Sequence, residues 1–277
     1  MNRKTIVFYG GGNMASAIIS KMVTSDWSGE DIHVIDRNTE KLERFSKQFG
    51  VQVHDKPGSW MAQIDSVVLA VKPQQLPDAI ASAKEWMDEA LIISIAAGVR
   101  IEDLRAMLGQ NRICRAMPNT PMKIGKGVCG LYATAEADED HLFIVKVFAA
   151  CGDLIWCDKE EMLEGVTAVS GSGPAYVFRF IEALENAGIR YGFNEVQARR
   201  LAIATVLGSA ELARQSDEPP AELRAKVTSK GGTTYEALKV MQERGFMEMM
   251  QDAMDACRRR SAELGEAFHE NLESKKD

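Results

Sequence analysis

Gly10-Gly11-Gly12-Asn13-Met14-Ala15 fits the spacing G-x-G-x-x-A, directly after a short apolar run and at the mouth of a helical pattern. Residues of these types at this spacing can seat a pyrophosphate. The first glycine permits a tight turn, the second lets the backbone approach the phosphates, and the small third residue keeps helix and strand close. The N–H groups and positive dipole end of the helix then face the anion. Gly10, Gly12, Asn13 and Met14 are therefore candidate dinucleotide contacts. Asp36 stands about twenty residues further on, where an acid would accept hydrogen bonds from the ribose 2′-hydroxyl of NAD(H). Arg37 follows it, and an arginine there can pair with a 2′-phosphate and stack on adenine. Both readings of the Asp36–Arg37 pair stay open; the sequence leans to NADP(H), with NAD(H) tolerated.

Three further features are unusual for plain scaffold. Val71-Lys72-Pro73-Gln74 closes a strand pattern, at the end where ligands collect in open α/β sheets. Met117-Pro118-Asn119-Thr120-Pro121 fixes a loop with two prolines at another strand end. Two Gly/Ser/Thr loops, Ser170–Tyr176 and Thr228–Thr234, each lead backbone N–H groups and hydroxyls into a helix. Pro174 suits a first helical position, and Thr233 or Thr234 a cap. Lys72 reads two ways, as a catalytic cation that stabilises the cofactor or an incoming carboxylate, or as a lysine that caps strand carbonyls or faces water. His33, His54, His141 and His269 never stand beside a cysteine or at ligand spacing, so no metal site is expected. Cys114, Cys129, Cys151, Cys157 and Cys257 form no C-x-x-C pair and read as reduced, buried fillers.

The elements that must position these residues change character midway. Lys4–Tyr9, Ile32–Asp36, Ser66–Val71, Leu91–Ile95 and Ile113–Met117 read as strands, short and rich in Val and Ile. Asn13–Thr24, Thr39–Phe49, Gln74–Met87 and Ile101–Leu108 between them read as helices, with Thr39 as a cap and Pro73 barring an earlier start to the third. Such alternation predicts an α/β, Rossmann-like doubly wound domain at the N-terminal side. Lys126–Thr134, Asp138–Ala150 and Leu154–Cys157 are expected to extend its sheet. After Lys159 the strand signal stops. Pro174–Ala187, Asn194–Arg214, Pro220–Val227, Thr233–Arg244 and Phe246–Glu270 predict an all-α second domain, in which Ala198, Ala202, Ala204 and Ala210 allow close helix approach. The expected division is 1–159 for the dinucleotide and 160–277 for the helices.

A chain of 277 residues suits two modest domains. Apolar residues at 45% and charged residues at 26% exclude a disordered or collagen-like chain. A net charge of -7 disfavours nucleic acid as a partner. The start mimics a secretion signal, but Gly10-Gly11-Gly12 cuts its apolar run at once, and the later run Ala90 to Ala97 is too short for a bilayer. A soluble, cytoplasmic protein without a membrane segment is the expectation.

Together these motifs resemble those of one family, the pyrroline-5-carboxylate reductases. The likeness runs from Gly10–Ala15 through Ala70–Pro73, Ser94–Gly98, Arg115–Pro121 and Ser170–Tyr176 to Thr228–Thr234, in family order. It implies NAD(P)H-dependent reduction of 1-pyrroline-5-carboxylate to L-proline, the last step of proline biosynthesis. It also implies a helical dimerisation domain, with homodimers often assembled into a decamer. By this resemblance Val71, Lys72, Pro73, Ala97 and Asn119 wall the nicotinamide side. Thr167 brings a catalytic hydroxyl near the ring nitrogen, and Ser229, Gly232, Thr233 and Thr234 hold the substrate carboxylate. Lys230 departs from the proline common at that place in the family. Two other readings remain: a reductase of another cyclic imine or small keto acid, and a non-catalytic NADP-binding sensor.

Overall fold

A computed structural model of the chain describes residues 4–274. The structure forms two compact units. One comprises the residues up to Ser172 together with those from Cys257 onward, and the other is Gly173–Ala256. The first unit thus runs past position 159 and takes back the end of the chain.

The first unit is built on an eight-stranded sheet: β1 Ile6–Tyr9, β2 Ile32–Ile35, β3 Gln52–His54, β4 Ser66–Leu69, β5 Leu91–Ser94, β6 Ile113–Pro118, β7 Gly127–Ala133 and β8 Gly152–Trp156. The spatial order is β3-β2-β1-β4-β5-β6-β7-β8. β1 pairs in parallel with both β2 and β4, with Ile6 opposite Ile32 and Ser66. Among the described residues β6–β7 is the single antiparallel pair, and β7 and β8 run parallel to each other. Alternate residues of one strand enter different cores. Ile6 and Phe8 join the layer under one face while Val7 joins the other; Val68 and Ile93 lie opposite Val67 and Ile92 in the same way. Strands buried on both faces need helices on both faces, which is why they read as continuous apolar runs.

Helices α1 Asn13–Met22, α2 Thr39–Phe49, α3 Leu76–Ala83, α4 Ile101–Leu108, α5 His141–Phe148 and α6 Met162–Val166 cover it. Several expectations are corrected here. The cap of α2 is Asn38, whose side chain accepts the Lys41 N–H at 2.9 Å, and Thr39 is the first helical residue. Residues 138–150 do not extend the sheet: Phe143, Ile144, Val147 and Phe148 recur at helical spacing and bury one face of α5. The predicted helix 74–87 breaks into two 3-10 turns around α3. The three-residue β3, too short to show a period, was not foreseen.

The second unit holds α7 Gly173–Arg190, α8 Glu195–Gln215, α9 Pro220–Lys226, α10 Thr233–Glu243 and the start of α11, Phe246–Glu273. Asn194 caps α8 through a reciprocal pair with Gln197. Ala198 and Ala202 are its buried residues, while Ala204 and Ala210 lie exposed. A β-carbon on Gly188 would meet that of Ala198 at 3.0 Å, so α7 and α8 cross closely. Neither Thr233 nor Thr234 caps α10; its N-cap is Gly232. Among the described residues no helix is long and apolar enough to cross a membrane.

Candidate active site

The turn after β1 has to be glycine. Gly10 has φ +112°, and a β-carbon there would lie 2.7 Å from the Ala70 carbonyl oxygen and 2.9 Å from Val71 Cγ1. Its N–H donates to Ile35 O at 2.8 Å, tying the turn to β2. Gly12 is the N-cap of α1, and the nearest atom to a β-carbon there is Ala70 O at 3.9 Å, so its side toward a ligand is open. No side chain caps α1 and no acid stands in its first turn. Its first N–H groups and positive end are therefore left for an anion, and a pyrophosphate fits them. Asn13 is exposed and Met14 half-buried beside them.

Asp36 braces this turn. One carboxylate oxygen accepts the Gly11 N–H at 2.9 Å and meets Lys41 Nζ at 3.3 Å; the other accepts the Asn38 N–H at 2.9 Å. Burial alone would raise the Asp36 carboxyl, but the Asn38 and Gly11 N–H groups and Lys41 outweigh it and hold it below its ordinary value. The acid is thus ionised and largely occupied. A cavity of about 380 Å³ opens beside it, lined among others by Gly10, Asp36, Arg37, Lys41, Lys56 and Val71. Lys41 and Lys56 escaped sequence reasoning. The one visible signal was a lysine in the first turn of the helix that follows Asp36.

A second cavity of about 290 Å³ in the same unit brings Ala97 and Thr167 together, with Gly98, Ser172, Cys257 and Arg260 also on its wall. Thr167 opens a π-helical turn, Thr167–Gly171, in which the Ser172 N–H reaches back to Thr167 O at 2.8 Å. The Thr167 hydroxyl donates to Leu163 O at 2.8 Å, which turns its lone pairs outward as acceptors. Cys257 is no buried filler: it is half-exposed, with Sγ 3.2 Å from Ser172 Oγ. The other four thiols are buried, and burial pushes Cys151 up to about 11. Cys257 and Arg260 were missed because they stand on α11, 85 residues or more from the loop they face.

α11 reaches this wall by close packing. Gly98 has φ +78°, and a β-carbon on Gly265 would meet Gly98 O at 2.6 Å. Beyond it Arg100 pairs with Glu266 at 2.6 Å, and His269 Nδ1 meets the buried Asp103 carboxylate at 2.7 Å. Val71 belongs to the first cavity. Lys72 is exposed and lines neither cavity; its N–H donates to Gln75 Oε1 at 3.4 Å. Pro73 opens the 3-10 turn that precedes α3. Asn119 is buried, with its amide groups spent within the protein, on Ser170 O at 3.0 Å and the Val128 N–H at 2.9 Å.

In the second unit, Gly231 has φ +70°, and Ser229 Oγ crowds the place that a β-carbon of Gly232 would take. The Gly232 N–H donates to Ser229 O at 3.0 Å. α10 starts from this loop without a side-chain cap, so its first N–H groups, with the Thr233 and Thr234 hydroxyls near them, suit a carboxylate. Lys230 is exposed.

A glycine turn feeding a helix from the first strand of a doubly wound parallel sheet is the arrangement of dinucleotide-binding proteins. Residues 160–264 match the family model described as pyrroline-5-carboxylate reductase dimerisation, and residues 5–98 that described as NADP oxidoreductase, coenzyme F420-dependent. A pyrroline-5-carboxylate reductase of Pseudomonas aeruginosa is 39% identical over 96% of this chain and 98% of its own length. Among solved structures, a pyrroline-5-carboxylate reductase from Coxiella burnetii matches with a TM-score of 0.89 at 36% identity, covering 95% of this chain and 99% of that one. Plasmodium falciparum pyrroline carboxylate reductase with NADP bound matches with 0.85 at 28% identity, over 96% and 99%. The chain belongs to the pyrroline-5-carboxylate reductase family.

Proposed function

We propose that the chain reduces 1-pyrroline-5-carboxylate to L-proline with NADP(H), NADH being accepted more weakly, as the closing step of proline synthesis. The observation that carries this reading is the cavity holding both Ala97 and Thr167, a nicotinamide wall and a hydroxyl in one space. Bound NADPH supplies the hydride, which adds to the C=N carbon of the protonated imine and leaves a secondary amine. Gly10, Gly12, Asn13 and Met14 hold the pyrophosphate. Arg37, with Lys41 and Lys56, meets the 2′-phosphate, since Asp36 is already engaged. Val71, Lys72, Pro73 and Ala97 wall the nicotinamide, with Asn119 behind them. Thr167 accepts the imine N–H through its outward lone pairs and so orients the C=N bond; its own proton stays on Leu163 O. The carboxylate sits on Ser229, Gly232, Thr233 and Thr234. No general acid is required when the imine arrives protonated, and the protein's part is position and field.

The functional division falls at 159/160, with nucleotide chemistry before it and dimerisation and substrate recognition after it. The active form is a homodimer, assembling further into a decamer in the reducing cytoplasm, without nucleic-acid partners. The test is NADPH oxidation by 1-pyrroline-5-carboxylate, run in parallel with NADH. Rapid oxidation, faster with NADPH, supports the reading. A protein that binds NADPH and oxidises it with no cyclic imine defeats it and favours the sensor.

A further inference from the structure

Asn119 follows β6 and is 6% exposed. Its Oδ1 accepts the Val128 N–H from β7, which fixes the amide, and its Nδ2 is aimed at the carbonyl of Ser170. That carbonyl has a particular need. In an α-helix it would accept from the N–H of residue 174, and Pro174 has none. A buried carbonyl without a partner is costly, and a π-helical turn is rare unless something holds it. The turn is pressed to the sheet on either side of this bond. A β-carbon on Gly171 would lie 2.9 Å from Met117 Cε, and one on Gly130 would lie 2.7 Å from Val166 Cγ1. Asn119 therefore supplies the donor that Pro174 withholds, at the turn whose first residue is Thr167.

We infer that Asn119 is a positioning residue for the reaction: through Ser170 O it holds the π-helical turn that sets the Thr167 hydroxyl at the Ala97 cavity, and it does not bind the nicotinamide itself. This inference rests on the role proposed for Thr167. The test is a double-mutant cycle with Asn119→Asp, which keeps the acceptor for Val128 and removes the donor to Ser170. Asn119→Asp is expected to lower kcat about tenfold, a size usual for coupled neighbours, with the KM for NADPH unchanged. Combined with Thr167→Ala it is expected to cost nothing more than Thr167→Ala alone. Losses that multiply, or a raised KM for NADPH, overturn the positioning role. Full turnover by Thr167→Ala overturns the role of Thr167 and this inference with it, a result visible before Asn119 is changed. If Asn119→Asp folds poorly, a Pro174→Ala background gives Ser170 O a second donor and is expected to restore both folding and turnover. An undiminished loss there also defeats the inference.

Discussion

The two units of this molecule differ in how much of themselves they bury. The first packs Ile6, Phe8, Phe45, Phe148 and many others to near-zero exposure on both faces of a sheet. The second, Gly173–Ala256, has only Ala198 and Ala202 among its fully buried residues, while Phe178, Tyr191, Val196 and Leu207 are at least 65% exposed. Surfaces this apolar are not left to water; they mark association. The contrast teaches that the nucleotide unit is held by its own core, whereas the helical unit carries an apolar surface that a core shared with a second copy of the chain would cover; residues 160–264 match the family model described as dimerisation.

The largest expected effect breaks that contrast directly. Phe178→Asp with Leu207→Asp should abolish the dimer by sedimentation and bring turnover to background, while NADPH still binds the first unit. A monomer that remained fully active would refute the shared core. Next, Phe8→Ala should cost about 3–5 kcal/mol of stability, measured by denaturant unfolding at fixed protein concentration. Phe178→Ala, the same truncation in the helical unit, should act on the dimer dissociation constant instead. Gly10→Ala places a side chain against Ala70 O in a disfavoured conformation, worth about 1–3 kcal/mol. It should weaken NADPH binding in a titration by about tenfold or more.

The smallest effect concerns the end of α11. Hydrogen bonding to Asp103 raises His269 above its ordinary value, so its charged form favours the folded state. That stabilisation is complete below the unfolded value of about 6.5 and fades as pH rises through the raised folded value. The difference in Tm between the protein and His269→Gln should accordingly be widest below pH 6.5 and shrink on the alkaline side. A difference that grows with pH would break the assignment.

Local chemistry made much of the first unit legible. Gly10-Gly11-Gly12 announces its turn because only glycine suits it, and α2 and α4 lie where their periodicity and the terminal glycines Gly50 and Gly109 put them. Asn38 was passed over for Thr39 because both can cap, and only the backbone decides which stands outside the helix. Residues 141–148 carry so many apolar side chains that strand and helix fit alike; packing of Phe143 and Val147 against the core settled it. At the site, motif residues could be named, but their company could not. Asp36 looked free for a ribose until the Gly11 and Asn38 N–H groups claimed it, and the placing of Cys257 and Arg260 beside Thr167 depends on the path of one long helix.

That path has a consequence for how the protein is made. Phe268 packs into the first unit's core, Gly265 abuts Gly98, and His269 sits on Asp103. The strands of the nucleotide unit are synthesised before the helical unit, yet its wall at Gly98 is completed by residues that follow the whole helical unit in the chain. Until then Asp103 is without its histidine and the apolar seat of Phe268 is open. A chain interrupted within the helical segment therefore carries an unfinished first unit, which is the kind of exposed surface that chaperones and proteases act upon.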